Sequence, residues 1–302
     1  MTSIERFDAA LPHGITLSCR AAGSLIGAPR VLLLHGFPEG AFAWDEVMLK
    51  LADRARCTAP NLRGYERSSA PADVQAYRAR HLVADIATLI ERLGAPIDLL
   101  VAHDWGGALA WNLAALQPAL LKRLLIVNAP HPATFLRELR DNPAQQAASA
   151  YMNFLCRPDA AALLAENDFA RLWPWFSNGG GGAWLDAATR ERYREVWRCG
   201  LEGALNYYRA SPLRPPLASD DAIHTLVLPP PVTTVRVPTT VLWGEADIAL
   251  PSALLDGLAA FVPDLDLRRV PGATHWIVHE QPALVAGTIV ELLAATPPRS
   301  AR

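Results

Sequence analysis

The sequence predicts an α/β fold: a mostly parallel central sheet flanked by helices, with a helical insertion. Three observations predict it. Short apolar runs alternate with helical patterns, as in chains of strand–helix–strand units. Val31-Leu32-Leu33-Leu34 is wholly apolar, as expected of a central parallel strand buried on both faces. Between about His131 and Val235 the rhythm changes to helical patterns rich in aromatics, and strand rhythm returns at Thr239 to Trp243.

Taken in order, Gly14 to Ala21 reads as an early strand, followed by Val31 to Leu34 and a helical stretch from Ala41 to Leu51. Arg56 to Pro60 suggests a strand, closed by the turn Asn61-Leu62-Arg63-Gly64-Tyr65. Tyr77 to Leu93 has the apolar stripe of an amphipathic helix and stops at Gly94. Ile97 to Ala102 is the next strand, Ala108 to Leu116 a helix, and Arg123 to Asn128 another strand. In the insertion, Gly179 to Gly182 reads as a loop, because no Gly-Lys-Ser/Thr follows to make a phosphate cradle. Pro229-Pro230-Pro231 ends the insertion, Leu265 to Val270 is a strand, and Pro282 to Ala295 the last helix. The expected organisation is a core domain, residues 1–130 and 236–302, and a helical cap, residues 131–235.

The chain has 302 residues, 51% of them hydrophobic, enough for a large core. A net charge of −2 gives no support for nucleic acid or an anionic membrane as partner. The mixed run Arg190-Glu191-Arg192-Tyr193-Arg194-Glu195 reads as a solvated helix face. Cys19, Cys57, Cys156 and Cys199 lie far apart without metal-ligand spacing, so neither a disulfide framework nor a metal site is expected. Met1 to Ala10 has no apolar signal segment, and no run of about 18 apolar residues occurs. The expectation is a cytoplasmic protein that needs no cofactor; a homodimer stays open.

The chemistry centres on Val101-Ala102-His103-Asp104-Trp105-Gly106-Gly107. A strand, a sharp turn with small residues and a helix form a nucleophile elbow, normally with Ser at its centre. Here the centre is Asp104. A carboxylate suits displacement at saturated carbon, which leaves an alkyl ester on the enzyme. Asp247, in Gly244-Glu245-Ala246-Asp247, and His275, in Gly272-Ala273-Thr274-His275-Trp276, each lie just past a late strand. Asp104, Asp247 and His275 follow the nucleophile–acid–base order of α/β-hydrolase triads. Glu245, closer to its strand, is expected to point away, and Asn128 cannot ionise. After the first buried strand, His35-Gly36-Phe37-Pro38-Glu39 is placed to offer the Phe37 N–H, with that of Trp105, as an oxyanion hole.

These motifs resemble the epoxide hydrolase branch of the α/β-hydrolases over nearly the whole chain. His35-Gly36-Phe37-Pro38-Glu39 matches that family's His-Gly-x-Pro motif, and His103 to Gly107 its elbow. Tyr151, before Met152-Asn153-Phe154-Leu155-Cys156-Arg157-Pro158, and Tyr208, in Asn206-Tyr207-Tyr208-Arg209, match the family's two cap tyrosines that hold and protonate the epoxide oxygen. Ala102 replaces the usual Gly before His103, and Asn61 a common Asp. The resemblance implies a small hydrophobic epoxide as substrate, bound by Trp105, Tyr151 and Tyr208. The nearest alternative is a haloalkane or haloacetate dehalogenase acting on a halogenated substrate through the same Asp. Against the haloacetate form, Trp105 stands where that group has an Arg to pair the substrate carboxylate. A non-catalytic ligand-binding protein of this fold is the third reading.

Overall fold

A computed structural model of the chain describes residues 3–23, 27–177 and 182–295. Eight strands are β1 (Glu5–Ala10), β2 (Thr16–Ala22), β3 (Arg30–Leu34), β4 (Arg56–Pro60), β5 (Leu99–His103), β6 (Leu124–Val127), β7 (Thr239–Gly244) and β8 (Leu265–Val270). They form one sheet in the order β1-β2-β4-β3-β5-β6-β7-β8. β2 runs against both β1 and β4, and the other neighbouring pairs are parallel. α1 (Asp45–Leu51), α2 (Ala79–Leu93) and α3 (Asp104–Leu116) connect the first half. Between β6 and β7 come α4 (Pro132–Asp141), α5 (Pro143–Ala148), α6 (Tyr151–Leu155), α7 (Ala160–Phe169), α8 (Trp173–Ser177), α9 (Ala187–Arg198), α10 (Glu202–Ala210) and α11 (Pro230–Thr233). α12 (Ile277–Glu280) and α13 (Pro282–Ala294) end the chain's described part.

The period-two geometry of a strand sends alternate side chains to opposite faces. On one face Leu32, Leu34, Leu100 and Ala102 pack in a core with Ile86, Ile90, Leu109 and Leu113 of α2 and α3. On the other, Val31, Leu33, Leu99 and Val101 meet Val47 and Leu51 of α1 and Val285 and Ile289 of α13. Covered on both faces, these strands need no polar side, which explains their uninterrupted apolar runs. The first core continues into the insertion through Phe176, Tyr193 and Trp197. Because β3, β5, β6, β7 and β8 are parallel, the loops at their carboxyl ends gather along one sheet edge, where ligands of open α/β sheets bind.

Several expectations shift at their edges. Ala41–Trp44 is a 3₁₀ turn leading into α1, and Val74–Tyr77 another preceding α2. Ile97 makes only an isolated bridge to Leu121 before β5 starts. β1 is an additional edge strand, and its residues are exposed apart from Ala9. The Arg190–Glu195 run is not a wholly solvated face: Tyr193 is fully buried and Arg192 pairs with the Asp45 carboxylate. The expected loop at Gly179 to Gly182 lies outside the described residues except for Gly182. Cys19, Cys57, Cys156 and Cys199 are all unpaired. Among the described residues no helix is long and apolar enough to cross a membrane.

Candidate active site

β5 arrives at His103 with extended backbone, and α3 begins at Asp104, whose φ is +49°. Few residues tolerate that left-handed conformation, Asp and Asn among them. It turns the carboxylate out of the strand–helix corner toward the loop after β3. Two glycines allow that approach. A Cβ on Gly36 would stand 2.2 Å from Asp104 Oδ1, and one on Gly106 2.6 Å from the His35 carbonyl oxygen. The Phe37 N–H donates to Asp104 Oδ1 at 2.7 Å. One carboxylate oxygen is therefore held by an amide, and Oδ2 is the oxygen directed at His275.

His275 Nε2 lies 3.8 Å from Asp104 Oδ2, beyond hydrogen-bond range. On its other side, Nδ1 meets Asp247 Oδ2 at 2.7 Å. Asp247 is fixed in turn. Its Oδ1 accepts from the Ala249 and Leu250 amides, each at 2.9 Å, and its Oδ2 from Asn128 Nδ2 at 2.8 Å. Asn128 also accepts from the Gly244 N–H, joining the ends of β6 and β7. Glu245 faces away as expected, toward Arg269. Asn128, noted in the sequence only as unable to ionise, holds the Asp247 carboxylate in place.

Burial opposes the charge of Asp247, yet the His275 charge and the hydrogen bonds from His275 and Asn128 hold its carboxyl below the usual range. Burial likewise disfavours an imidazolium at His275, but Asp247, then Asp104 and Glu39, outweigh it and raise the pKa to about 9. Loss of the Asp104 charge would remove one of the groups that raise the His275 pKa and so move it downward. The expected result is that Asp104→Asn lowers the His275 pKa below its wild-type value, read by NMR titration of the imidazole. An unchanged midpoint would show that the two groups are not coupled.

A second polar cluster, not apparent from the sequence, supports this loop. His103 Nε2 donates to the His275 carbonyl oxygen at 2.9 Å, and its Nδ1 meets Glu39 Oε2 at 3.0 Å. Glu39 Oε1 accepts from the Tyr193 hydroxyl at 2.9 Å and lies 2.7 Å from His279 Nε2. Burial opposes the Glu39 charge, but the hydrogen bonds from His103 and His279 hold its carboxyl well below the ordinary range. A buried carboxylate so paired ties β3, β5, the His275 loop and α9 together.

Tyr151, at the start of α6, and Tyr208, on α10, both face the Asp104 region. Their ring centroids are 6.2 Å apart, and Tyr208 also meets the rings of Trp105 at 5.1 Å and Phe37 at 5.3 Å, both edge to face. Two cavities join here, because Asp104, Tyr151 and Tyr208 line both. The larger, about 1040 Å³ counting its open mouth, runs along α3 past Trp105 and Leu109. The smaller, about 760 Å³, contains His275 and is walled by Phe37, Trp175 and Trp276. Burial first, and then the Asp104 charge, push the Tyr151 phenol well above its ordinary pKa, and burial, Tyr151 and Asp104 do the same to Tyr208. Both hydroxyls stay protonated and able to donate.

The model of the alpha/beta hydrolase fold family matches residues 29–282. AB hydrolase superfamily protein YfhM of Bacillus subtilis (strain 168) is 35% identical over 285 residues, 93% of this chain and 95% of that protein. Epoxide hydrolase 4 of Mus musculus is 32% identical over 285 residues, 91% of this chain and 76% of that one. Among solved structures, one of novel epoxide hydrolases from metagenomes of hot environments superposes with a TM-score of 0.86 at 35% identity, covering 97% of this chain and 100% of that chain. Bacillus megaterium epoxide hydrolase in complex with an inhibitor gives 0.86 at 28% identity, with 96% and 100% covered. An eight-stranded sheet with an aspartate at the elbow and these relatives place the chain in the α/β-hydrolase superfamily, as a hydrolase. Within that superfamily it belongs to the epoxide hydrolase branch.

Proposed function

We propose that the chain opens epoxides to vicinal diols through an alkyl ester on Asp104. The observation that carries this reading is the pair of donors opposite the nucleophile: Tyr151 and Tyr208 share both cavities with Asp104. Asp104 Oδ2 attacks one oxirane carbon. The new O–C bond forms as the ring C–O bond breaks, and a phenol of the pair gives its proton to the departing oxygen. The attack neutralises Asp104, so the charge that made each phenol a poorer acid disappears as the proton is needed.

In the second half, His275 removes a proton from water, and the water oxygen adds to Asp104 Cγ. Oδ1 is already on the Phe37 N–H, so the developing oxyanion is bound without rearrangement. The ester C–O bond breaks and the diol leaves. Of the two water protons, one ends on the diol and the other restores the phenol; the water oxygen stays in the Asp104 carboxylate. Asp247 keeps His275 in the tautomer with Nε2 free to accept. The helices between β6 and β7 act as a cap that carries both tyrosines and walls the cavities from water.

His275→Gln tests the two-step scheme. Alkylation does not need the base and hydrolysis does, so the expected result is a stable covalent adduct. Intact-protein mass spectrometry after adding an aryl epoxide should show the mass of one epoxide, located on the peptide bearing Asp104. Binding without any adduct would overturn the ester intermediate.

A further inference from the structure

α9 lies across the loop that carries the Phe37 N–H. Its residues Tyr193, Val196 and Trp197 share one face, at helical spacings of three and four. Trp197, 2% exposed, donates its indole N–H to the Pro38 carbonyl oxygen at 2.7 Å. Tyr193 donates to the Glu39 carboxylate. Val196 packs on Gly40, where an added Cβ would stand 3.0 Å from Val196 Cγ2. Pro38, Glu39 and Gly40, the residues directly after Phe37, are thus each met by this helix of the insertion.

Phe37 and Pro38 are the central residues of a tight turn, closed by the Glu39 N–H donating to the Gly36 carbonyl oxygen at 3.0 Å. The Pro38 ring fixes its own φ, and each peptide unit is planar. Few rotations remain between the Pro38 carbonyl and the Phe37 N–H, so a shift of one carries the other. Among the described residues, Trp197 is the hydrogen-bond partner of that carbonyl. A buried carbonyl deprived of its donor turns toward another or bears the cost of having none.

Resting on the ester mechanism above, we propose that Trp197 is a positioning residue for the Phe37 N–H: through Pro38 it sets how closely this amide meets Asp104 Oδ1. The amide acts with opposite sign in the two half-reactions. While the ester forms, Asp104 gives up its charge, and a donor on Oδ1 favours the carboxylate it started from. While the ester hydrolyses, Oδ1 changes from a neutral carbonyl oxygen to an oxyanion, and the same donor stabilises that change. Loosening the amide therefore slows the second half-reaction and spares the first.

Trp197→Phe keeps an aromatic ring against Phe169 and Trp173 and removes the donor. Trp173→Phe is the packing control. Its ring lies 4.7 Å from that of Trp197, and its indole N–H goes to the Asp168 carbonyl oxygen, away from the Phe37 turn. Rapid-quench mass spectrometry with an aryl epoxide measures both half-reactions. Loss of an oxyanion donor costs about 10²–10³-fold, and a displaced donor costs less, so Trp197→Phe is expected to slow ester hydrolysis by about tenfold. Ester formation should stay within about twofold of the wild type, so ester accumulates at steady state. Trp173→Phe should leave the ratio of the two rates unchanged. Equal slowing of both half-reactions in Trp197→Phe, or the same change of ratio in Trp173→Phe, overturns the proposal and leaves Trp197 as packing.

A second measurement needs no turnover. Gly36-Phe37 is the one Gly-Phe pair in the sequence, so carbonyl-¹³C glycine with ¹⁵N phenylalanine singles out the Phe37 amide by NMR. A closer hydrogen bond moves an amide proton downfield. Trp197→Phe should therefore move this signal upfield, and Trp173→Phe should leave it in place. An unmoved Phe37 signal in Trp197→Phe overturns the proposal, whatever the rates of epoxide opening. A wild type that forms no ester from any epoxide, with the upfield shift still seen in Trp197→Phe, would overturn the reaction and support the positioning of the amide.

Discussion

Asp104→Asn is expected to reduce epoxide opening to background, a loss on the order of 10⁶-fold in kcat, as when other covalent nucleophiles are removed. The fold should be unaffected. Asn is nearly isosteric with Asp and is the other residue that accepts a φ of +49°. Its side-chain oxygen can still take the Phe37 N–H, so the corner packed against Gly36 and Gly106 stays filled. What changes is the reacting group: a neutral amide is a far weaker nucleophile than a carboxylate. Steady-state kinetics on freshly prepared protein, with a thermal melt beside it, would check both halves. Mass spectrometry must exclude deamidation back to Asp. A variant with wild-type rate and intact Asn would remove Asp104 from the role of nucleophile, whatever the geometry around it.

The part of this site legible in the sequence is the part delivered by parallel strands. Asp104 directly follows β5, Asp247 and His275 lie a few residues past β7 and β8, and parallel strands bring their carboxyl ends to one edge. Order along the chain was therefore sufficient to bring the three together. Their supports were not legible, for a physical reason. Asn128 meets Asp247 across 119 positions and His103 meets the His275 carbonyl across 172, and no local periodicity signals such partners. Glu39 was visible only as the last residue of a motif. Its role as a buried hub depends on Tyr193 from α9 and His279 from α12 arriving at the same carboxylate. Tyr193 was masked by its neighbours, because a run of alternating charges reads as solvated when only one residue in it turns inward. β1 failed in the opposite way: Glu5, Arg6 and Asp8 on an exposed edge strand give no apolar alternation to read.

The tyrosines belong to neither group. Their placement followed from a resemblance of motifs, and the structure sets the two rings 6.2 Å apart, both lining the cavities that Asp104 lines. That closeness makes their contributions interdependent. After burial, the Asp104 charge is among the causes that raise both phenols, so alkylation of Asp104, if it forms the proposed ester, would ease proton loss from either one.

Replacing both hydroxyls, as Tyr151→Phe with Tyr208→Phe, is expected to lower the rate of epoxide opening by about 10⁴-fold, the upper end of general-acid assistance. Each single substitution should cost less, because the remaining phenol can still donate to the departing oxygen. The physical basis is leaving-group basicity. An alkoxide must gain a proton as it departs, and Tyr151 and Tyr208 are the two phenols that line both cavities together with Asp104. A halide departs without a proton, so displacement of halide by Asp104 would be much less affected by the same double change. Phe preserves the edge-to-face contacts with Trp105 and Phe37, so packing alone predicts almost no effect. Pre-steady-state measurement of ester formation separates these cases. A large loss with aryl and alkyl epoxides establishes the phenols as the acid. Opening at close to the wild-type rate would leave them as packing residues, and halide release from bromo- or chloro-substrates without any diol from the epoxides would make the chain a dehalogenase.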